Sequence, residues 1–226
     1  MSHEMRTPTA VSFSYITIWF VADRVKGVIG MVDLLSEDTT LTAEQREYVS
    51  SIQLSAKALL TIVNDILDFS KIESGRLDIE EVPFNLSSTV NELCKLLRVF
   101  ASQKNLDFVY KNEIDDGLAV LGDPGRIRQV LSNLLTNALK FTERGSIKIT
   151  VKGKKLEPLE SGEERIETHF IVEDTGIGIE KKVLDKLFRP FRQGDSSTAR
   201  LYGGTGLGLT ISRNVCHLLS STSTRC

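Results

Sequence analysis

Three polar side chains on one predicted helix could bind a metal ion and phosphate groups. Asn133, Asn137 and Lys140 stand four and three residues apart, so they share one face of a helix. An amide oxygen is a hard ligand of the kind that Mg²⁺ takes, and a lysine ammonium donates hydrogen bonds to phosphate oxygens. The spacing therefore suits a magnesium–triphosphate, although a solvated helix face would carry the same pattern.

A second group of residues follows an apolar strand predicted around residues 170–172. Asp174 is followed by Gly176 and Gly178 in the order Asp-Thr-Gly-Ile-Gly. A carboxylate at the end of a strand can accept a hydrogen bond from an exocyclic amine, and the glycines would let a flat base approach the backbone. An ordinary Asp–Gly turn is the alternative interpretation of this motif.

A third group lies where a glycine-rich stretch opens the last apolar helix. Residues 203–209 read Gly-Gly-Thr-Gly-Leu-Gly-Leu, and a helix is predicted over residues 210–219. Glycines that enter a helix N-terminus make a phosphate cradle from backbone amides and the helix dipole. The stretch lacks the Lys-Ser ending of a Walker loop and no predicted strand runs directly into it. It is therefore neither a P-loop nor a clear dinucleotide fingerprint.

The fourth group stands at the start of the chain, where His3 is followed by Glu4. An imidazole is nucleophilic at neutral pH, and an adjacent carboxylate can hold its tautomer and accept its proton. Two polar residues on the surface of a helix would give the same pair, so this motif has a simpler alternative too.

Sequence patterns predict the elements that must position these groups. Thr42 and Gln45 form a capping box, and apolar residues then recur at helical spacing to about Ile72, with Gly75 as the stop. A helix of this length is expected to pack against another long helix, and the predicted partner covers residues 27–35. From Arg76 onward strands and helices are mixed, which predicts an α/β sandwich with helices over one sheet. Its predicted strands cover residues 77–82, 106–110, 146–152 and 169–173, and its first two helices cover 85–99 and 123–140.

Composition excludes several classes of function. The chain has 226 residues with 28 Lys+Arg against 30 Asp+Glu, and this near-balance argues against nucleic-acid binding by bulk electrostatics. The three cysteines are too far apart for a structural zinc site, and they favour a reducing compartment. Residues 9–22 form the one long apolar run, which is shorter than the roughly 20 residues of a membrane span. The chain is therefore expected to be cytoplasmic, without membrane contact by this segment.

The four motifs are modest singly, but their order along the chain is specific. In that order the chain resembles a sensor histidine kinase of the hybrid, two-component type, with the match covering residues 1–8 and about 27–219. The H, N, G1, F and G2 boxes of the family are matched, in this order, by His3 and residues 133–142, 174–178, 187–191 and 204–208.

The resemblance implies a role for each matched residue. His3 would take the γ-phosphoryl group of ATP with Glu4 as its general base, and Thr7 would serve phosphatase chemistry on a response regulator. Asn137 would hold Mg²⁺, and residues 193–202 would be a mobile lid over the nucleotide. The residues that would bind ATP are Asn133, Asn137, Lys140, Asp174, Gly176, Gly178, Phe188, Phe191, Gly204, Gly206 and Gly208.

The resemblance also implies an α+β fold in two domains. Residues 1–74 would be a phosphoacceptor and dimerisation hairpin, interrupted by an atypical insertion at 9–26 that lacks a helical polar face and cannot simply extend the hairpin helix. Residues 75–226 would be a Bergerat-type ATP-binding domain without the terminal strand pair of the family. The partners would be a second copy, through the hairpin, and a receiver domain.

Two alternatives remain beside a histidine kinase. The first is another ATPase of the same superfamily, related to chaperones, topoisomerases and mismatch-repair proteins. Those enzymes use a carboxylate on the N-box helix, and no Glu or Asp stands between Asn133 and Asn137. The second alternative is a non-catalytic fragment that binds nucleotide or dimerises without phosphorylating His3.

Overall fold

The computed structural model describes residues 8–158, 164–184, 187–191 and 205–221. The chain divides into two compact units, Met1–Leu77 and Asp78–Cys226, and each is considered by itself. The first unit is helical, and the second combines helices with β-sheet. The predicted fold class, a long helical region followed by an α/β domain, is confirmed.

Two long helices form the first unit. Helix α1 spans Pro8–Ser36, and helix α2 spans Ala43–Glu73. The predicted capping box is present at the start of α2. The Gln45 N–H donates to Thr42 Oγ1 over 3.2 Å, and the Thr42 N–H donates to Gln45 Oε1 over 2.9 Å. These reciprocal bonds satisfy two N–H groups that the helix cannot pair internally.

The prediction that residues 9–26 cannot extend the hairpin helix is wrong. They form the first part of α1, which continues without a break to Ser36. β-branched and aromatic residues reduce helix propensity by only about 0.5 kcal/mol each, and the segment contains neither proline nor glycine. A buried stripe at helical spacing also begins inside it, at Ala22 and Val25, and continues to Val32. No helix in the described ranges is both long and apolar enough to cross a bilayer.

The second unit contains five strands and four helices among its described residues. In chain order they are β1 Val82–Asn85, α3 Leu86–Gln103, β2 Asp107–Asn112, β3 Ala119–Gly122, α4 Pro124–Phe141, β4 Ser146–Leu156, β5 Arg165–Asp174, α5 Lys181–Leu184 and α6 Gly208–Ser221.

Strand β4 is the centre of a three-stranded sheet. Strand β2 runs parallel to β4, with Asp107 opposite Ser146, and β5 runs antiparallel to it, with Ile147 opposite Asp174. Strands β1 and β3 form a separate antiparallel pair. Parallel neighbours need a crossover connection, and the one between β2 and β4 contains α4. The topology therefore brings α4 back onto the sheet.

The strand predicted over residues 77–82 starts only at Val82. Before it, the Glu80 N–H donates to the Asp123 side chain over 3.1 Å instead of to a neighbouring strand. Asp123 is buried, and its other carboxylate oxygen accepts from the Arg126 N–H over 2.8 Å at the start of α4. One carboxylate therefore fixes both the N-terminus of α4 and the segment that enters β1.

The core of the second unit holds α4 against the sheet. Val90 on α3, Leu135 on α4, and Ile147 and Ile149 on β4 are fully buried in one hydrophobic cluster. Ile147 and Ile149 are two positions apart, so both point to the same face of β4. This packing fixes the helix on which three of the predicted site residues lie.

Burial of Cys94 in this core predicts a pH-dependent loss of stability. Burial raises the pKa of the Cys94 thiol to about 11 from its usual 9.0, with Arg98 acting weakly in the opposite direction. The folded state therefore favours the neutral thiol, and this stabilisation is complete below pH 9 and is lost as the pH rises from about 9 to about 11. Between pH 8 and 10.5 the wild-type chain should lose about 2 kcal/mol more of unfolding free energy than Cys94→Ala.

Urea denaturation of both chains at the two pH values measures this difference. The difference in unfolding free energy between the two proteins at pH 8 measures the cost of the cavity that alanine leaves, and it is subtracted from the difference at pH 10.5. Equal pH dependence in the two chains would contradict the prediction.

Candidate functional site

Helix α4 carries the three polar residues that were expected to act together. Asn133, Asn137 and Lys140 are all half-buried on the helix. The Asn137 side-chain N–H donates to Asn133 Oδ1 over 3.4 Å, so the two amides are hydrogen-bonded to each other. In this orientation the carbonyl oxygen of Asn137 is turned away from Asn133. The arrangement suits an oxygen ligand at Asn137.

Asn133 is also linked to the last helix of the described chain. Its side-chain N–H donates to Ser212 Oγ on α6 over 2.9 Å. At the first residue of α6, a Cβ on Gly208 would lie 2.3 Å from Asn133 Oδ1, which is far inside van der Waals contact. Glycine at position 208 therefore allows the N-terminus of α6 to approach α4. The motifs of the sequence include Gly208 but miss Ser212, although a residue one helical turn after Gly208 shares its face.

Lys140 sits at the C-terminal end of the same face. Its Nζ lies 4.9 Å from the centre of the Phe141 ring. Burial lowers the pKa of Lys140 from its ordinary value, because partial removal from water disfavours the ammonium. A negatively charged ligand beside the ammonium would compensate for that loss of solvation.

The loop after β5 is attached to the end of α4. Asp174 is the last residue of β5, and its Oδ1 accepts from the Gly176 N–H over 2.9 Å. The Ile177 N–H donates to the Phe141 carbonyl oxygen over 3.2 Å. A Cβ on Gly176 would lie 2.4 Å from that same oxygen, so position 176 has no room for a side chain. The loop thereby brings Asp174 and Gly176 to the C-terminal end of α4.

A threonine inside this loop is a second residue that sequence reasoning missed. Thr175 Oγ1 accepts from the Ser146 N–H over 2.9 Å at the start of β4. Gly145 has φ +111°, and a Cβ there would overlap Thr175 Oγ1. Gly178 has φ +67° with open space around it, so glycine there serves the backbone conformation alone.

Phe188 contacts α6, and the side chains of Phe188 and Phe191 are both exposed. The Thr210 hydroxyl donates to the Phe188 carbonyl oxygen over 3.2 Å, and the Arg213 guanidinium lies 5.6 Å from the centre of the Phe188 ring. Phe191 is 64% exposed and has φ +58°, which is uncommon for an aromatic residue. Thr210 belongs to none of the sequence motifs.

Four predicted site residues and the predicted lid lie outside the described residues. Gly206 is described and has φ +67°, in the turn that leads into α6. The predicted site residues outside the described ranges are His3, Glu4, Thr7 and Gly204. The predicted lid, residues 193–202, also lies outside them.

Two family models match the chain. The model of the His Kinase A (phospho-acceptor) domain matches residues 25–75. The model described as histidine kinase-, DNA gyrase B-, and HSP90-like ATPase matches residues 122–225. The chain belongs to the histidine kinase family. The ATPase match supports nucleotide binding by a region that includes both α4 and α6.

Full-length relatives and a solved structure agree with this membership. The chain is 43% identical over 216 residues to hybrid signal transduction histidine kinase A of Dictyostelium discoideum, and 40% identical over 215 residues to signal transduction histidine-protein kinase BarA of Escherichia coli (strain K12). Each match covers 95% of this chain, but 9% and 21% of the two relatives. Full-length ShkA in complex with AMPPNP is similar with a TM-score of 0.66 at 29% identity, covering 95% of this chain and 42% of that one.

Proposed function

We propose that this chain is the ATP-dependent core of a two-component phosphorelay, which phosphorylates its own His3 and passes the phosphoryl group to a receiver-domain aspartate. The observation that carries the proposal is the junction of α4 and α6, where Asn137, Asn133 and Ser212 form a hydrogen-bonded chain. The two family models that match the chain support the same function.

The residues present fit a magnesium-bound nucleotide. Gly176 and Gly208 stand where any side chain would collide with α4, so the loop after β5 and the N-terminus of α6 both lie against this helix, beside Asn137 and Lys140. Asn137 would hold Mg²⁺ through its carbonyl oxygen, with Asn133 and Lys140 near the phosphates. When bound, Mg²⁺ would neutralise charge on the phosphate oxygens. The residues assigned to the base, the lid anchor and the phosphate cradle are Asp174, Gly176, Gly178, Phe188, Phe191, Gly204, Gly206 and Gly208.

The transfer step uses residues at the start of the chain. A ring nitrogen of His3 would form a bond to the γ-phosphorus of ATP, while the bond from that phosphorus to the β,γ-bridging oxygen breaks and ADP leaves. Glu4 would take the proton that the imidazole loses. In the second step an aspartate oxygen of the receiver would take the phosphoryl group from His3. Thr7 would serve phosphatase chemistry on the response regulator, in which water takes the phosphoryl group from the receiver aspartate.

We assign these roles to two domains of a cytoplasmic protein. Residues 1–74 would be the phosphoacceptor and dimerisation domain, and residues 75–226 the ATP-binding domain. Side chains on α2 support the dimer, because Ile52, Leu54 and Leu59 are 49%, 74% and 45% exposed. A second copy would cover such apolar area, and a receiver domain would dock on the same hairpin near His3.

Phosphorylation with γ-labelled ATP tests the proposal. The purified chain is incubated with Mg²⁺ and γ-labelled ATP beside a His3→Gln variant. The expected result is a label that is stable in alkali, labile in acid and absent from the variant, because phosphohistidine has this pattern of stability. Label that survives in His3→Gln, or that resists acid, would contradict the assignment.

A second candidate is a nucleotide-binding fragment without kinase activity, and the length of α1 favours it. The phosphoacceptor model matches from residue 25, whereas α1 begins at Pro8, about 25 Å further along the helix axis. This extra helix separates the motif around His3 from the part of the hairpin that the family model recognises. Nucleotide binding that is lost in Asn137→Ala, together with no label on His3, would establish this second candidate.

A further inference from the structure

A hydroxyl on α6 ends the hydrogen-bonded chain that begins at Asn137. Ser212 is 6% exposed, and its Oγ lies 2.9 Å from Asn133 Nδ2. Asn133 in turn accepts from Asn137 through its Oδ1. Ser212 lies outside the sequence motifs and outside every role assigned above.

We infer that Ser212 is a positioning residue, which orients the carbonyl oxygen of Asn137 toward Mg²⁺ by acting through Asn133. This inference rests on the proposed function, because it presupposes that Asn137 binds the metal of a magnesium–nucleotide. Ser212 itself touches neither metal nor nucleotide in this assignment.

Hydrogen-bond chemistry explains the order of donors and acceptors from Asn137 through Asn133 to Ser212. A cation can approach Asn137 only at its oxygen, so its N–H must point away from the cation, and that N–H donates to Asn133 Oδ1. The Asn133 N–H is then directed at α6, where it needs an acceptor. A serine hydroxyl oxygen accepts, and the 2.9 Å distance has the length of a good N–H···O bond. The amide orientations are those that this network selects.

Removing the hydroxyl leaves the N–H of the half-buried Asn133 without this acceptor. Such a group costs about 1–3 kcal/mol, and rotation of the Asn133 amide would relieve the cost. Rotation would also present an N–H to Asn137 instead of an oxygen. The Asn137 amide would then turn its oxygen toward Asn133 and its own N–H toward the metal. A cation repels the partial positive charge of an N–H. The loss should therefore appear in the magnesium-dependent part of nucleotide affinity.

The test measures binding of a fluorescent trinitrophenyl-ATP to the full chain, in excess Mg²⁺ and in EDTA. Ser212→Ala should weaken binding about tenfold in Mg²⁺ and less than about twofold in EDTA. Ser212→Thr keeps the hydroxyl and should restore wild-type affinity. Ser220→Ala is the matched control on the same helix, because the exposed Ser220 hydroxyl donates to the Cys216 carbonyl oxygen instead. Its affinity should equal that of the wild type.

A double-mutant cycle with Asn133→Ala tests whether Ser212 acts through Asn133. In that background Ser212→Ala should change magnesium-dependent affinity by less than about twofold. A full tenfold loss there, equal losses in Mg²⁺ and EDTA, or failure of threonine to restore binding would each overturn the inference.

The same experiment separates this inference from the function it rests on. A wild-type chain whose nucleotide affinity does not depend on Mg²⁺ would overturn both the metal assignment and the role of Ser212. A wild-type chain with magnesium-dependent binding that Ser212→Ala leaves intact would overturn the role of Ser212 alone.

Discussion

Autophosphorylation of the chain should fall at least about 100-fold when Asn137 is replaced by alanine. The amide of Asn137 is fixed by its bond to Asn133, and in the proposed site its oxygen is the protein ligand of Mg²⁺. Phosphoryl transfer depends mainly on positioning and charge neutralisation, so losing the ligand affects the rate as well as affinity. Initial rates of labelling at saturating ATP, together with Kd for the magnesium–nucleotide, measure the two effects.

Thr136→Ala is the matched control for this variant. Thr136 is the neighbouring residue of α4, it is exposed, and its hydroxyl donates to the Ser132 carbonyl oxygen over 2.7 Å. Its replacement should leave both labelling rate and Kd within about twofold of wild type, because exposed substitutions of this kind have small effects. Equal losses in the two variants would show that α4 is disturbed generally and would remove the support for a metal ligand at Asn137.

Gly176→Ala should weaken nucleotide binding by about 30-fold or more and also lower stability. The added Cβ would lie 2.4 Å from the Phe141 carbonyl oxygen and 2.9 Å from Asp174 Oδ1. The first of these atoms is backbone at the end of α4, so the loop must move, at about 1–3 kcal/mol for such overpacking. Movement would break the Ile177–Phe141 hydrogen bond and displace the carboxylate assigned to the adenine amine.

Gly178→Ala separates steric overlap from backbone strain in the same loop. Gly178 has φ +67° but nothing within 4 Å of an added Cβ. Alanine there should cost about 1 kcal/mol of stability and change affinity far less than Gly176→Ala. Fluorescence titration and thermal unfolding of both variants give the comparison, and equal effects would contradict an explanation based on the contact with Phe141.

Local sequence signals predicted the helices on which the candidate site depends. The Asp123–Pro124 pair marks the start of α4, because an aspartate cap and a first-turn proline both favour a helix N-terminus. Thr42 and Gln45 mark α2 in the same way. The spacing of Asn133, Asn137 and Lys140 then follows from helix geometry alone. Their metal and phosphate roles stay predictions.

Features that depend on distant partners were not accessible to the same reasoning. Strand β3 is four residues long and is stabilised by pairing with β1, so it carries little signal of its own. Residues 9–26 are rich in β-branched and aromatic residues and contain one short part of a buried stripe, at Ala22 and Val25, so their helical conformation within α1 was not predicted. Ser212 is tied to Asn133, which is 79 residues away in sequence, and no local pattern links the two.

That separation of 79 residues affects the order in which the domain can mature during synthesis. A ribosome adds about 5–20 residues per second, so α4 would emerge about 4 to 16 seconds before Ser212. The core residues Val90, Leu135 and Ile147 all precede α6 in the chain. The nascent domain would therefore collapse around its sheet first and gain affinity for nucleotide only when α6 arrives. Nucleotide would therefore bind and stabilise the domain only after α6 has packed, and it would not direct the earlier folding of the sheet.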